Sequence, residues 1–587
     1  MMKLFARTLL VACATFGLCL LAWAADSGTA PQLGTSASDA AAASPHHPLV
    51  VLYASPASGQ LLRLSALDQK ARVNMWRDLL HERGDPYRIV THPGQWDDIA
   101  PGAAIVLVSA YALSEQEKAL LKKRLDGGDS LLATGNPASR DESNNPVDSK
   151  FVNTLFGPAV PPAAPAPAGE FIVVAGNTPL TYALPTGTRL WVGKDPQRQR
   201  AALMAPGAAY ISDWSRHAAA GGVLAYASVG ISRRVLLGWP ETDWDARSKD
   251  WRTLASAALD YVEGHPIAYV ETWPAPYQAA MSFGVNATWH LENLANLAKL
   301  FDEQQVKASF HLLAPDLAAH AATLRTMVQA GHDVASLGDV WRPFAGQPRG
   351  EQERRLKVAA DGLHQALGRR DAFSGLRTPE AATDVNTQAA VASAGGHYLV
   401  DLGRIDSALP VLAEAGQLTL LPSTLTLDSS NAEAIQQWGQ LLADERKRAL
   451  QLHALSYVGL DDVNLGSDGN SRDTLRQFLA QTRQQSSIWL ASAAQVSQWW
   501  QLSQRIRLQT RQEGADLLLT LLVDTDHPIA FPVAIAIVPP PGRSRIRIAE
   551  PQAGMKLETQ SDASTSLVIQ GLPAGSQQIR LHFDPPI

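Results

Sequence analysis

The sequence predicts an α/β protein in three parts: a doubly wound parallel sheet, then a (β/α) barrel, then a small C-terminal β-sandwich. Three observations carry that prediction. Continuous apolar runs of strand length alternate with helical stretches over 48–264, as in strands buried on both faces. The alternation resumes over 269–502. Over 505–587 it gives way to short alternating strands separated by Gly, Pro and Asp turns.

Taken in order, residues 1–24 read as a signal peptide. Lys3 and Arg7 precede an apolar core at 8–21, and Ala22-Trp23-Ala24 offers a small-x-small cleavage site. Export to the periplasm or beyond is expected, with membrane contact only if this segment is retained. Both cysteines of the chain, Cys13 and Cys19, lie inside it, so cleavage leaves a protein without disulfide or thiolate chemistry. The chain has 50 basic and 56 acidic residues, a formal charge of −6, and no basic excess that would point to nucleic acid. Residues 25–47 are rich in Ser, Ala, Gly and Pro and read as a flexible tether.

In 48–264, strands are expected at 49–53, 87–90, 103–111 and 130–134. A helix is expected over 68–83, closed by Gly84. A second opens at Ser114 with Glu117 at capping-box spacing and stops at Gly127-Gly128. Residues 234–239 form a later central strand, followed by a helix at 251–263. Ala54-Ser55-Pro56-Ala57-Ser58-Gly59 lacks the G-x-G-x-x-G spacing of a dinucleotide loop. The strand order and the late Val235-Leu236-Leu237-Gly238 run resemble the glutamine-amidotransferase-like, flavodoxin-like modules. That chemistry needs a Cys nucleophile, so the resemblance implies a structural or binding module.

In 269–502, strands are expected at 278–283, 308–313 and 333–336, with a last one at 488–492 and Trp499-Trp500 on the helix behind it. The segments Gly331-His332-Asp333-Val334-Ala335-Ser336, Gly375-Leu376-Arg377-Thr378-Pro379-Glu380 and Leu450-Gln451-Leu452-His453 occur in that order. Together they resemble the polysaccharide deacetylase family, the NodB-homology domain of carbohydrate esterase family 4, over about 270–500. The resemblance implies a (β/α) barrel with its site at the strand carboxyl ends. It also implies removal of acetyl groups from glycans with one divalent metal such as zinc.

Carried over residue by residue, the resemblance exposes losses. The family's first strand carries two Asp, one as base and one as metal ligand. Here Ser282-Phe283-Gly284-Val285-Asn286 places Gly284 and Val285 there, or Gly284 and Asn286 under the alternative spacing. The two metal-binding imidazoles fall at Leu337 and Trp341. The Arg-x-Pro motif survives as Arg377-Thr378-Pro379, leaving Arg377 to find Glu380, Asp401 or a ligand as its anion. Asp401 matches a further family Asp. Leu452-His453 matches the family's Leu-His, whose His is a general acid.

Magnitude decides between hydrolysis and binding. A bound metal lowers the pKa of water from about 15.7 to about 7, roughly 12 kcal/mol at about 1.36 kcal/mol per unit. Arg377 and His453 cannot supply that. The expected function is therefore a catalytically degenerate, deacetylase-like protein that uses no cofactor. It would bind or scaffold an acetylated polysaccharide or oligosaccharide, with Trp341, Arg377 and Asp401 as contacts and exopolysaccharide machinery as a partner. The alternative is an active deacetylase with a rearranged metal site, using His290, His311 and His453. Trp341 is either a sugar-stacking platform or a plug in the vacated metal cavity, and His453 either an acid or an ordinary core histidine.

Overall fold

A computed structural model describes residues 48–587 outside 65–66, 149, 157–170, 175, 186–187, 192–208, 213–222, 242–248, 289, 402–408, 428–431, 463–468, 544, 560–563 and 585–587. The expected signal peptide and tether lie outside the described residues, as does the loop expected from the Pro-rich sequence at 158–169. The chain is a mixed α/β protein with two large sheets, one half parallel and half antiparallel and the other mainly parallel, and two small antiparallel ones.

The first sheet has nine strands. Its parallel part runs Tyr87–Val90, Val50–Tyr53, Ala104–Leu107, Ser130–Thr134, Ser232–Leu237. Val50–Tyr53 and Ala104–Leu107 are buried at every position, which is why they read as unbroken apolar runs. Helix Gln69–Arg83 starts on the Asp68 cap and ends at Gly84, whose φ of 76° suits a residue without Cβ. Helix Glu115–Asp126 opens on the expected capping box: Ser114 Oγ accepts from Glu117 N (3.2 Å) and Glu117 Oε2 accepts from Ser114 N (2.8 Å). A further helix, Pro56–Leu64, occupies most of the 54–59 segment and the residues after it.

Arg83, the last residue of helix Gln69–Arg83, pins it to helix Lys249–Val262. Its guanidinium donates to Asp260 Oδ1 (3.0 Å), Glu263 Oε2 (2.8 Å), the Ser256 carbonyl (3.1 Å) and Asp85. Burial pushes the Glu263 carboxyl up to about 7, Asp85 and Asp260 adding to the rise against the pull of Arg83. A value raised in the folded state gives stability that is complete below the ordinary 4.5 and lost as pH rises through 7. Thermal melts across that window should show wild type losing stability relative to Glu263→Gln. A constant difference between the two would contradict this.

The second large sheet has ten strands. Along its path lie Val411–Ala413, Leu418–Pro422, Tyr398–Asp401, Gly375–Arg377, Asp333–Gly338, Ser309–Leu313, Ala279–Ala287, Leu455–Asp461 and Leu425–Thr426, while Ile488–Leu490 joins Ala279–Ala287. Leu418–Pro422 and Leu425–Thr426 lie near opposite ends of this path, yet only Ser423 and Thr424 separate them. Three Cα steps of about 3.8 Å cannot bridge a flat sheet of that width, so the sheet curls until its ends meet. Thr424 clasps Tyr457 there, N to O at 3.1 Å and Oγ1 from Tyr457 N at 3.0 Å.

Period-two alternation sorts the strand residues. Met281, Phe283, Val285, Phe310, Leu312, Leu376 and Val458 pack outward with Leu294, Leu297, Phe301, Leu363 and Phe478 of the helices. The intervening residues Ser282, Gly284, Asn286, Ser309, His311, Arg377, Tyr457 and Gly459 therefore face the lumen. His311 is thus a lumen residue and Phe310 a helix-facing one.

Two four-stranded antiparallel sheets complete the chain. One contains Ile506–Glu513, Asp516–Val523, Gly575–Asp584 and Arg545–Ile548; the other Val533–Val538, Thr565–Ile569, Met555–Thr559 and, from far upstream, Ile267–Val270. Leu517, Leu519, Ile535, Ile537 and Leu567 share one core with Trp273, Trp489, Trp499 and Trp500. The indole of Trp499 donates to the Thr272 carbonyl at 2.9 Å. Residues 47–587 accordingly form a single compact unit.

Candidate functional site

The carboxyl ends of the parallel barrel strands define one mouth, where enzymes of this architecture keep their chemistry. Gly284 sits in the lumen row of the first barrel strand and pairs in register with Gly459 and Ser309. A Cβ built at 284 would fall inside the Tyr457 hydroxyl, and one at 459 would press on the Arg377 guanidinium. Two glycines thus yield their space to two large side chains from opposite directions. Tyr457 is fully buried, and that burial raises its phenol pKa despite the nearby Arg377 charge.

Arg377 is 5% exposed. Its Nη1 donates to the Gly284 carbonyl at 3.4 Å, and its guanidinium lies 5.9 Å from the Tyr457 ring centroid. Among the described residues it pairs with neither Glu380 nor any other carboxylate. Glu380 and Ala381, just after the Arg-x-Pro turn, both hold positive φ (58° and 50°), a strained pair at the mouth. His311 is fully buried and bonds Tyr398 Oη at 3.3 Å. Burial and then the Arg377 charge push it down to about 3, so it is neutral in ordinary conditions. Beneath, Asp333 accepts from Ser309 Oγ (2.8 Å), Ser374 Oγ (2.6 Å) and Tyr398 Oη (2.7 Å), a carboxylate solvated by neutral hydroxyls.

The other expected residues are scattered. Leu337 is fully buried, while Trp341 is 48% exposed, which is not the burial of a plug. Val285 faces the helices rather than the lumen. The Asp401 backbone pairs with Pro422, and its side chain lies outside the described residues. His453 requires a correction. It caps helix Trp438–Leu452 in left-handed geometry, with its carbonyl accepting from Trp273 Nε1 (2.9 Å). It precedes strand Leu455–Asp461 and so lies at the end of the barrel away from the mouth; it does not meet Arg377. Nor does the structure gather His290, His311 and His453: His290 pairs with Glu292 (3.1 Å).

The residue that closes that strand at the mouth is Asp461, which accepts from Asn286 Nδ2 at 2.9 Å. Beside it Asp462 accepts from the backbone N–H of Thr288 and His290, both at 2.9 Å. Sequence reasoning missed both. The available signal was an apolar strand pattern ending in two consecutive Asp.

Of the positions that the resemblance assigns to a carboxylate and two imidazoles, Gly284 has the Tyr457 hydroxyl where its Cβ would be, and the others hold Leu337 and Trp341. Among the described residues, one set of His and carboxylate atoms lies within 4.8 Å of one another: Asp260, Glu263 and His265. Arg83 Nη2 already stands between two of them, at 3.0 and 2.8 Å.

Comparison with known proteins gives the class of this region. Residues 280–399 match the polysaccharide deacetylase family model. Similar solved structures include a probable polysaccharide deacetylase from Pseudomonas aeruginosa PAO1 (18% identity, 39% of this chain and 92% of that one, TM-score 0.34). The Xyl-CE4 domain of a xylanase from the hindgut metagenome of Trinervitermes trinervoides is also similar (10%, 38% and 90%, 0.28). So is a CE4 family pseudoenzyme from Bacillus anthracis (12%, 38% and 66%, 0.28). No curated protein matches.

Proposed function

We propose that this protein is a catalytically degenerate relative of the polysaccharide deacetylases that binds a polysaccharide without hydrolysing its acetyl groups. The observation that carries the reading is the Gly284–Tyr457 exchange. A phenol held protonated by burial fills the place from which a carboxylate would activate water. Leu337 and Trp341 offer no metal ligand, so the roughly 12 kcal/mol of water activation has no source. The match over 280–399 supports a glycan partner. The half-exposed Trp341 suits stacking on a sugar ring.

The remaining regions receive supporting roles. The 48–264 region acts as a flavodoxin-like structural or binding module, and 505–587 as a β-sandwich that braces the barrel. The chain works outside the cytoplasm alongside exopolysaccharide machinery, a placement supported by the pattern of residues 1–24. No described helix is long and apolar enough to cross a membrane.

The test is direct. Purified protein is assayed for zinc and cobalt, then for acetate release from N-acetylglucosamine oligomers. We expect sub-stoichiometric metal and no release above background. Stoichiometric metal with acetate release would establish the rearranged-site enzyme instead.

A further inference from the structure

Two features of the barrel have opposite character. In the lumen, Ser282, Asn286, Ser309, His311, Asp333, Leu337, Arg377, Tyr398 and Tyr457 are all at most 8% exposed. They offer a ligand almost no surface. On the rim, Val340 and Trp341 are about half exposed (47% and 48%). The exposed indole stands on a surface loop whose backbone is held at several points.

The loop that carries Trp341 is held from beneath by Arg355 of helix Arg349–Leu367, a residue with no exposed surface. Its guanidinium donates to Asp339 Oδ1 (2.7 Å), the Arg342 carbonyl (2.8 Å), the Pro343 carbonyl (2.9 Å) and Gln347 Oε1 (3.2 Å), and lies 4.0 Å from the Phe344 ring centroid. A second clamp closes the other side. Asp384 Oδ2 accepts from Gly346 N (2.8 Å), and the buried Gln352 donates to the Gln347 carbonyl (2.9 Å) and to Asp384 Oδ1 (3.2 Å). A buried cation directed at one surface loop carries a large desolvation cost. It contributes nothing to a lumen already filled; what it does is fix the backbone on either side of Trp341.

We infer that ligand contact in this protein has moved from the barrel lumen to its rim. Trp341 is the contact and Arg355 the positioning residue that holds the loop carrying it. The inference rests on the glycan-binding reading and specifies it: the ligand lies across the mouth as an extended chain, its apolar C–H face on the indole. It does not insert a residue or a substituent into the barrel. A free monosaccharide would meet a single ring face and little else.

The experiment titrates the full-length protein with N-acetylglucosamine and with its oligomers, read by calorimetry. Wild type should bind oligomers and show no measurable binding of the monomer. Trp341→Ala should weaken oligomer binding about tenfold, corresponding to about 1.4 kcal/mol. Arg355→Met should weaken it to a similar degree, yet add nothing in the Trp341→Ala background, because it acts through the indole. Should Arg355→Met fail to fold, Asp339→Asn, which loosens the same clamp, replaces it in the cycle. Asn286→Ala, a change at the mouth end of the lumen, should leave oligomer affinity unchanged.

Monomer binding as tight as oligomer binding, or affinity lost in Asn286→Ala, would place the ligand in the lumen and overturn the inference while sparing the glycan-binding reading. Additive losses for Arg355 and Trp341 would also overturn the positioning role. Failure of every oligomer to bind would remove the reading itself.

Discussion

Gly284→Asp is expected to destabilise the protein by about 3 kcal/mol, the upper end of the overpacking range, rather than to recreate an active site. The new Cβ would lie within the Tyr457 hydroxyl. Tyr457 cannot swing aside, because it is fully buried on a strand flanked by Ala279–Ala287 and Leu425–Thr426. Arg377 would offset part of the cost as a counter-ion, but the ring still has to move. Tyr457→Leu removes the ring and leaves a cavity, which alone costs on the order of 2–4 kcal/mol. The double variant should be less destabilised than the sum of the two, since each relieves the defect of the other. Chemical denaturation of the four proteins measures this coupling. Strict additivity would mean that the two positions do not share space.

Arg83→Met should produce an equally large loss, about 3–5 kcal/mol, the range for removing one partner of a buried ion pair. Asp85 and Glu263 have almost no exposed side-chain surface and would be left without their cation. Arg83→Lys keeps the charge but not the fork that reaches three carboxylates at once, so it should recover only part of the loss. The loss should be greatest at alkaline pH, where Glu263 has no proton to fall back on, and smaller near pH 5. A pH-independent loss would assign the effect to packing of the side-chain stem.

Much of the fold was legible because its signals are local. The Ser114–Glu117 capping box, Gly84 after its helix and the apolar runs at 50–53 and 104–107 act through near neighbours. The helix Pro56–Leu64 was not legible, since Pro, Ser and Gly crowd its first turn. Ile506–Glu513 escaped notice as well: it is mostly polar because its face is largely exposed. Ile267–Val270 has no nearby partner to announce it.

The site divides the same way. Leu337 and Trp341 could be located because Gly331-His332-Asp333 anchors the count. Tyr457 could not, because its meaning depends on a lateral register with Gly284 that no local pattern encodes. A Leu-His pair is too short to fix a position, and the one at 452–453 belongs to a helix end rather than to the strand after it.

The strand Ile267–Val270 has a consequence for how the chain can be made. Its hydrogen-bonding partner, Val533–Val538, is synthesised long after it. Until then the stretch before the barrel has one edge uncommitted and Trp273 and Trp499 lack their cover. Shortened versions ending near residue 500 should therefore be sticky intermediates rather than autonomous pieces, and biogenesis should require Val533–Val538 to arrive before the middle can settle.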